Sequence, residues 1–208
     1  MGLTDRAQRI GVFGGAFDPP HNAHLALVQA ALSRLSLDEL IVFPTGHAWH
    51  KARPLSPAAD RLAMAQLAFS DCPKVSVDPR EMHRPGPSYT IDTLSELHAE
   101  RPGAELVLLL GGDQAAALPT WHRWRDILKI AIISVASRDP SALENVRFLP
   151  ESTPLDLDEG CFQALQMPAM NLSATEVRRR VAAGLGIAHL VPAGVARYID
   201  QHHLYLAP

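Results

Sequence analysis

An apolar run that ends on paired glycines and leads directly into a helical stretch constrains this chain more than any other feature. Residues 10–13 read as a short buried strand. Gly14-Gly15-Ala16-Phe17-Asp18-Pro19-Pro20 reads as a turn, and residues 25–32 as the body of a helix. Gly14 and Gly15 are expected to let the backbone turn sharply and come close to a ligand. His21 and His24 then fall at the helix start, where unpaired N–H groups and the positive end of the helix dipole favour an anion. Strand, glycine turn and histidine-bearing helix start together describe a phosphate site. It is not one of the common glycine loops. The chain has no G-x-x-x-x-G-K-[ST], and Gly11, Gly14 and Gly15 lack G-x-G-x-x-G spacing.

The rest of the chain alternates in the same way. Strand signals fall at 10–13, 40–44, 75–78, 105–110 and 130–136, and helix signals at about 22–35, 57–69, 89–100 and 121–128. Ser56 is expected to cap the second helix, with Pro57 in its first turn. Further helices are expected from Ser173 and after Pro192, whereas 138–168, rich in Pro, Asp and Glu, yields no clear element. Val/Ile/Leu runs separated by helices predict an α/β fold with a doubly wound, mostly parallel sheet and a C-terminal helical region. We read the chain as one domain over 1–208. Gly111-Gly112-Asp113 closes the strand at 105–110, so two glycine turns are expected at strand carboxyl ends, where open α/β sheets bind ligands.

Composition bounds the function. Of 208 residues 47% are hydrophobic, which excludes a disordered chain, and 19 basic against 22 acidic residues give a net charge of −3. That balance points to neither nucleic acid nor a membrane surface. No apolar run approaches the ~20 residues of a membrane span, and no signal peptide is visible. Cys72 and Cys161 stand alone and read as small core residues of a cytoplasmic protein. Whether the chain is a monomer or a homodimer is left open.

Several further residues carry chemistry, each with a plainer reading beside it. His21 and His24 share a helix face and could be a metal pair or buried structural groups, but a phosphate role explains their place beside the glycines. Asp18 fits loop organisation better than ligand contact. Lys51 follows the second strand and can bring a point charge to a polyphosphate, or be a solvated loop lysine. Ser88 is a plausible cap for the helix at 89–100, with Tyr89 and Thr90 beside it. Trp121 and Trp124 are spaced for core packing, yet Trp121 can offer a flat face to a heteroaromatic ring. Ser173 and Glu176 form a capping box. Arg178 behind that helix start can grip phosphates bidentately, while Arg179 and Arg180 read as solvent-facing.

The run from Gly14 to His24 resembles the G-G-x-F-D-P-x-H-x-x-H signature of the nucleotidyltransferase superfamily. Taken with Pro44 and His50-Lys51, Glu81 to Leu94, Gly111 to Leu128, Leu172 to Arg178, and Val191-Pro192 with Val195, Tyr198, Ile199, Leu204 and Tyr205, nearly the whole chain resembles the bacterial nicotinate mononucleotide adenylyltransferases. The resemblance implies a Rossmann-like nucleotidyltransferase fold and a reaction in which ATP and nicotinate mononucleotide give deamido-NAD and pyrophosphate. It implies catalytic roles for His21, His24, Lys51 and Arg178. It implies ATP contacts at Gly14, Gly15, Ala16, Phe17, Ser173 and Thr175. Ser88, Tyr89, Thr90, Gly111, Asp113 and Trp121 are implied for the mononucleotide, with Asp113 at the nucleotide ribose and Trp121 stacked on the pyridine. Mg²⁺ is expected to be held mainly by the ATP phosphates, with no metal ligand from the protein. In this reading the histidines, Lys51, Arg178 and helix N–H groups offset the charge of the leaving pyrophosphate. Ala16, Gly112, Ala174 and Ala48-Trp49 depart from the pattern, and two of these changes remove hydroxyls, at 16 and 174. The alternatives are an adenylyltransferase preferring nicotinamide mononucleotide or another phosphorylated acceptor, and a non-catalytic ATP-sensing module.

Overall fold

The computed structural model describes residues 6–46, 54–137, 161–168 and 170–206. In chain order the strands are β1 (Arg9–Gly15), β2 (Glu39–Pro44), β3 (Val75–Val77), β4 (Glu105–Gly111), β5 (Ala131–Ser137) and β6 (Phe162–Gln166). The helices are α1 (Asn22–Arg34), α2 (Ala58–Phe69), α3 (Arg80–His83), α4 (Thr90–Glu100), α5 (Gly112–Ala117), α6 (Trp124–Ile130), α7 (Ala174–Ala182) and α8 (Ala193–Gln201), with a 3₁₀ turn at Leu118–Thr120. The strands form one parallel sheet in the order β3-β2-β1-β4-β5-β6. That is the doubly wound order, reversing between β1 and β4. Arg9–Val12 pair with Glu105–Leu108, Leu106–Gly111 with Ala131–Ala136, and Ile133–Ser137 with Phe162–Gln166.

The α/β expectation holds because the strand runs are buried along their length. Leu106 to Leu110 and Leu40 to Phe43 are each at most 5% exposed, as strands covered on both faces must be. The expected strands are found to within a residue or two. One was not expected: β6, which lies in the stretch the sequence left unread. The expected helix at 121–128 starts at Trp124 instead, because Arg123 takes a left-handed φ of 51°. Cys72 and Cys161 are half-buried rather than in the core.

The contacts divide the chain into two compact units. The first comprises Met1–Phe13, Ala30–Leu40 and Tyr89–Pro168. Its core holds β4 and β5, the α4 face of Ile91, Leu94 and Leu97, and Trp124, Ile127 and Leu128 of α6. The second comprises Gly14–Gln29, Ile41–Ser88 and Ala169–Pro208. There α2 presents Arg61, Met64, Ala65, Ala68 and Phe69 as one buried stripe at helical spacing. Its other face meets α8. Tyr198 Oη donates to Asp60 Oδ1 at 2.9 Å, and Gly194 lies against Leu67. Among the described residues no helix is long and apolar enough to cross a membrane.

Candidate active site

The signature segment lies in the second unit, and its glycines do not make the turn. Gly14 and Gly15 are the last residues of β1, and the left-handed residue is Phe17, with φ 47°. Gly15 is small because of packing: a Cβ there would meet Phe17 Cζ at 3.0 Å, whereas one on Gly14 meets nothing within 4 Å. The Phe17 ring is 2% exposed and packs edge-on to His24 at 5.2 Å and to Phe69 at 5.9 Å. A left-handed aromatic residue costs on the order of 1–2 kcal/mol, and burying the ring returns a comparable amount. The ring is therefore enclosed by protein. Its side chain packs on His24, leaving only the Phe17 backbone available to a ligand.

The histidine pair is ordered differently from the expectation of unpaired N–H groups at the helix start. His24 N and Leu25 N donate to His21 O at 2.8 and 3.3 Å, and Asn22 N donates to Leu190 O at 2.8 Å. Asn22 Nδ2 donates to His189 O at 3.1 Å, so the opening of α1 is tied to the chain just before α8. The two imidazoles stack at 3.7 Å. His21 N donates to His24 Nδ1 at 3.1 Å. An imidazole nitrogen that accepts from an amide carries no proton, so the ring proton of His24 sits on Nε2. His21 is 7% exposed, its Nδ1 has no hydrogen-bond partner, and burial pulls its pKa down to about 4. Near neutral pH His21 is uncharged. His21 is not set up as a cation, and His24 presents its ring N–H at Nε2.

Two buried charges organise the loop. Arg61, 2% exposed, donates from Nη1 to Ala16 O at 3.0 Å and Thr45 O at 2.6 Å, from Nη2 to Gly46 O at 3.2 Å, and from Nε to Ser56 O at 3.0 Å. One guanidinium thus joins the segments after β1 and β2 and the residue before α2. Burial works against its charge, and Asp18 partly restores it. Asp18 is 2% exposed. Its Oδ1 accepts from Tyr205 Oη at 2.7 Å and its Oδ2 from Ser56 N at 3.3 Å. Ser56 does not cap α2, since Pro57 holds the cap position, with no side-chain bond.

Arg178 of α7 reaches the same loop. Its Nη1 donates to Asp18 O at 2.6 Å across 160 residues, and its Nη2 to Thr175 Oγ1 at 3.1 Å. The Ser173 hydroxyl caps α7, accepting from Glu176 N at 3.2 Å. Only half of the expected capping box forms, because the Glu176 carboxylate takes Arg179 Nε and Nη2, both at 2.8 Å. Arg180 is not simply solvent-facing, since its Nε donates to Gly186 O at 3.0 Å.

In the first unit, Gly111 ends β4 and Gly112 opens α5, with Asp113 exposed in its first turn. Tyr89 precedes α4, and its half-buried ring lies 4.3 Å from that of His122. Thr90 is the first residue of α4. Ser88 belongs to the second unit and caps nothing, since its hydroxyl donates to Glu81 O at 3.3 Å. Trp121 does not open a helix. It closes the 3₁₀ turn, its N–H donating to Leu118 O at 2.9 Å, and its side chain is half-buried while Trp124 enters the core at 8% exposure. The two indoles therefore have separate fates. Lys51, with His47, Ala48, Trp49 and His50, lies outside the described residues. Among the described residues no group of three or more His, Cys, Asp or Glu could hold a metal ion.

Comparison with known proteins decides the family. The model of the cytidylyltransferase-like family matches residues 12–180. A curated protein of Albidiferax ferrireducens named "Probable nicotinate-nucleotide adenylyltransferase" is 60% identical over 95% of this chain and 98% of its own. A protein of the same name from Methylibium petroleiphilum is 43% identical over 97% and 94%. The chain belongs to this family, the nicotinate-nucleotide adenylyltransferases. The solved nicotinic acid mononucleotide adenylyltransferase of Plasmodium falciparum complexed with NaAD shares the fold, with a TM-score of 0.74 at 19% identity, covering 95% of this chain and 97% of that one.

For a nicotinate-nucleotide adenylyltransferase, the sequence left two organising residues undetected. Arg61 had a signal available: it stands on the i, i+3, i+4, i+7, i+8 stripe of α2, where an isolated charge has no business unless it is bonded. Tyr205 had none beyond its place in the C-terminal resemblance, since its partner is 187 residues away.

Proposed function

We propose that this chain transfers the adenylyl group of ATP to nicotinate mononucleotide, releasing pyrophosphate and forming deamido-NAD. Its relatives' names support the substrates, and the observation that carries the reading here is the 2.6 Å bond from Arg178 to Asp18 O. It joins two segments that the sequence marks independently for phosphate, within one compact unit.

The chemistry asks little of a general base. A phosphate monoester has its second pKa near ~6, so the mononucleotide is already largely dianionic at neutral pH. One of its oxygens attacks the α-phosphorus of ATP; the new P–O bond forms as the bond to the β,γ-pyrophosphate breaks. Catalysis then consists of bringing two anions together and stabilising the charge that gathers on the leaving group. In this reading the His24 Nε2–H donates to that charge, and Arg178 and Lys51 supply positive charge. The dipole of α1 adds to the field. Gly14, Gly15 and Ala16 allow close approach by backbone, and Ser173 and Thr175 act by capping α7 and holding Arg178. Tyr89, Thr90, Gly111, Asp113 and the Trp121 face serve the mononucleotide.

Mg²⁺ belongs to this scheme as a partner of the ATP phosphates, where it would neutralise phosphate charge. Both units are taken as parts of a single nucleotidyltransferase domain, because the family match runs through both. A cytoplasmic setting belongs with the reading, as Cys72 and Cys161 form no disulfide.

The test is pyrophosphate release by pure protein with Mg·ATP and nicotinate mononucleotide, run in parallel with nicotinamide mononucleotide. Release with the acid, and much less with the amide, is the expected result. Release with neither removes the proposal.

A further inference from the structure

Asp18 is a buried carboxylate one residue beyond a left-handed Phe17, and its Oδ1 accepts a 2.7 Å hydrogen bond from Tyr205. Tyr205 is itself left-handed, with φ 63°, as is His203 at 51°. Strained non-glycine residues persist only where their surroundings hold them, and they gather at functional sites. Here the contact joins two such segments. A phenol-to-carboxylate bond is short and strong because the acceptor is charged, and a buried carboxylate is costly without such donors. Burial and the Asp18 charge together push the Tyr205 phenol further up, so it keeps its proton and donates throughout the neutral range.

The same residue's backbone holds Arg178. Asp18 O accepts from Arg178 Nη1 while Thr175 Oγ1 accepts from Nη2, and two bonds fix the plane of a guanidinium. A side chain held at Oδ1 restrains the Asp18 backbone, and a shift of that backbone would move its carbonyl and turn the guanidinium plane. Ser56 N donates to the other carboxylate oxygen, at 3.3 Å.

We propose that Tyr205 is a positioning residue for the phosphate grip: it pins the Asp18 side chain so that the Asp18 carbonyl aims Arg178. The chain beyond α8 is then part of the catalytic apparatus without touching a reactant. The proposal rests on the adenylyl-transfer reading and names a residue that acts through Arg178.

Tyr205→Phe removes one oxygen and keeps the ring. It is expected to lower kcat about tenfold, the size of one lost hydrogen bond to a charged group, with the mononucleotide KM little changed. Calorimetric binding of inorganic triphosphate with magnesium should weaken by a similar factor. On an Arg178→Ala background the same substitution should have no further effect on either measurement. An equal loss on both backgrounds, or a loss matched by Tyr205→Leu with a lowered melting temperature, means general loosening and overturns the proposal. So does a Tyr205→Phe enzyme with wild-type kcat and triphosphate affinity. A wild-type protein that neither binds triphosphate nor releases pyrophosphate overturns the functional reading as well.

Discussion

The two sets of site residues are built in opposite ways. Around the signature loop, Asp18, His21 and Arg61 are each under a tenth exposed, and one guanidinium satisfies four backbone carbonyls. Among the residues of the first unit proposed for the mononucleotide and their neighbour His122, Asp113 and His122 are exposed and Tyr89 and Trp121 half-buried. The contrast follows the chemistry. In the proposed reaction, charge developing on a leaving group is stabilised only by donors already in place, which a buried polar frame provides. A flat ring needs a face to lie on, and that requires surface left open.

Substitutions at either set can break the comparison. The largest effect is expected from Arg61→Met, which leaves buried carbonyls unpaired and takes one of the cations near Asp18 away. Stability in urea should fall by about 3–5 kcal/mol, and a loss within 1 kcal/mol would show that the frame is not what holds the loop. Next, His24→Ala should reduce kcat for pyrophosphate release by roughly 10²–10³, with KM for ATP moving far less. If KM carried the whole effect, the imidazole would serve ground-state binding alone.

The third is pH-dependent. The folded His21 pKa is about 4 against 6.5 in the unfolded chain, so the unfolded state binds more protons between those values. Its contribution is complete above pH ~6.5 and is lost as pH falls toward ~4, by about 3 kcal/mol in total. His21→Gln should flatten that part of the stability–pH curve relative to wild type. Parallel curves would mean that the imidazole is not sealed from water. Smallest is Trp121→Ala, expected to raise the mononucleotide KM about tenfold while the melting temperature and the ATP KM stay close to wild type. A large loss of stability would return Trp121 to the core.

The same contrast explains what sequence could reveal. β2 and β4 are legible because a strand buried on both faces must be apolar throughout, and Leu106–Leu110 has no other reading. Helix starts are less legible. Ser56 and Ser88 both have capping chemistry, but Pro57 holds the cap position of α2 and Glu81 O takes the Ser88 hydroxyl. Gly14 and Gly15 look like the turn, yet the left-handed residue is Phe17, because its ring has somewhere better to go than local preference would send it. The donor state of His24 depends on a backbone amide three residues away, which residue identity does not encode. The positions proposed for the mononucleotide are legible as a set of aromatic and glycine residues, although only the fold separates Trp121 from Trp124.

The first turn of α1 closes on Leu190 O and His189 O, and Asp18 waits on partners 160 and 187 positions later. A nascent chain emerging from the ribosome can pair its early strands long before these groups exist. The polar frame around Asp18 is thus completed only once residues 178–205 exist, long after Asp18 itself is made.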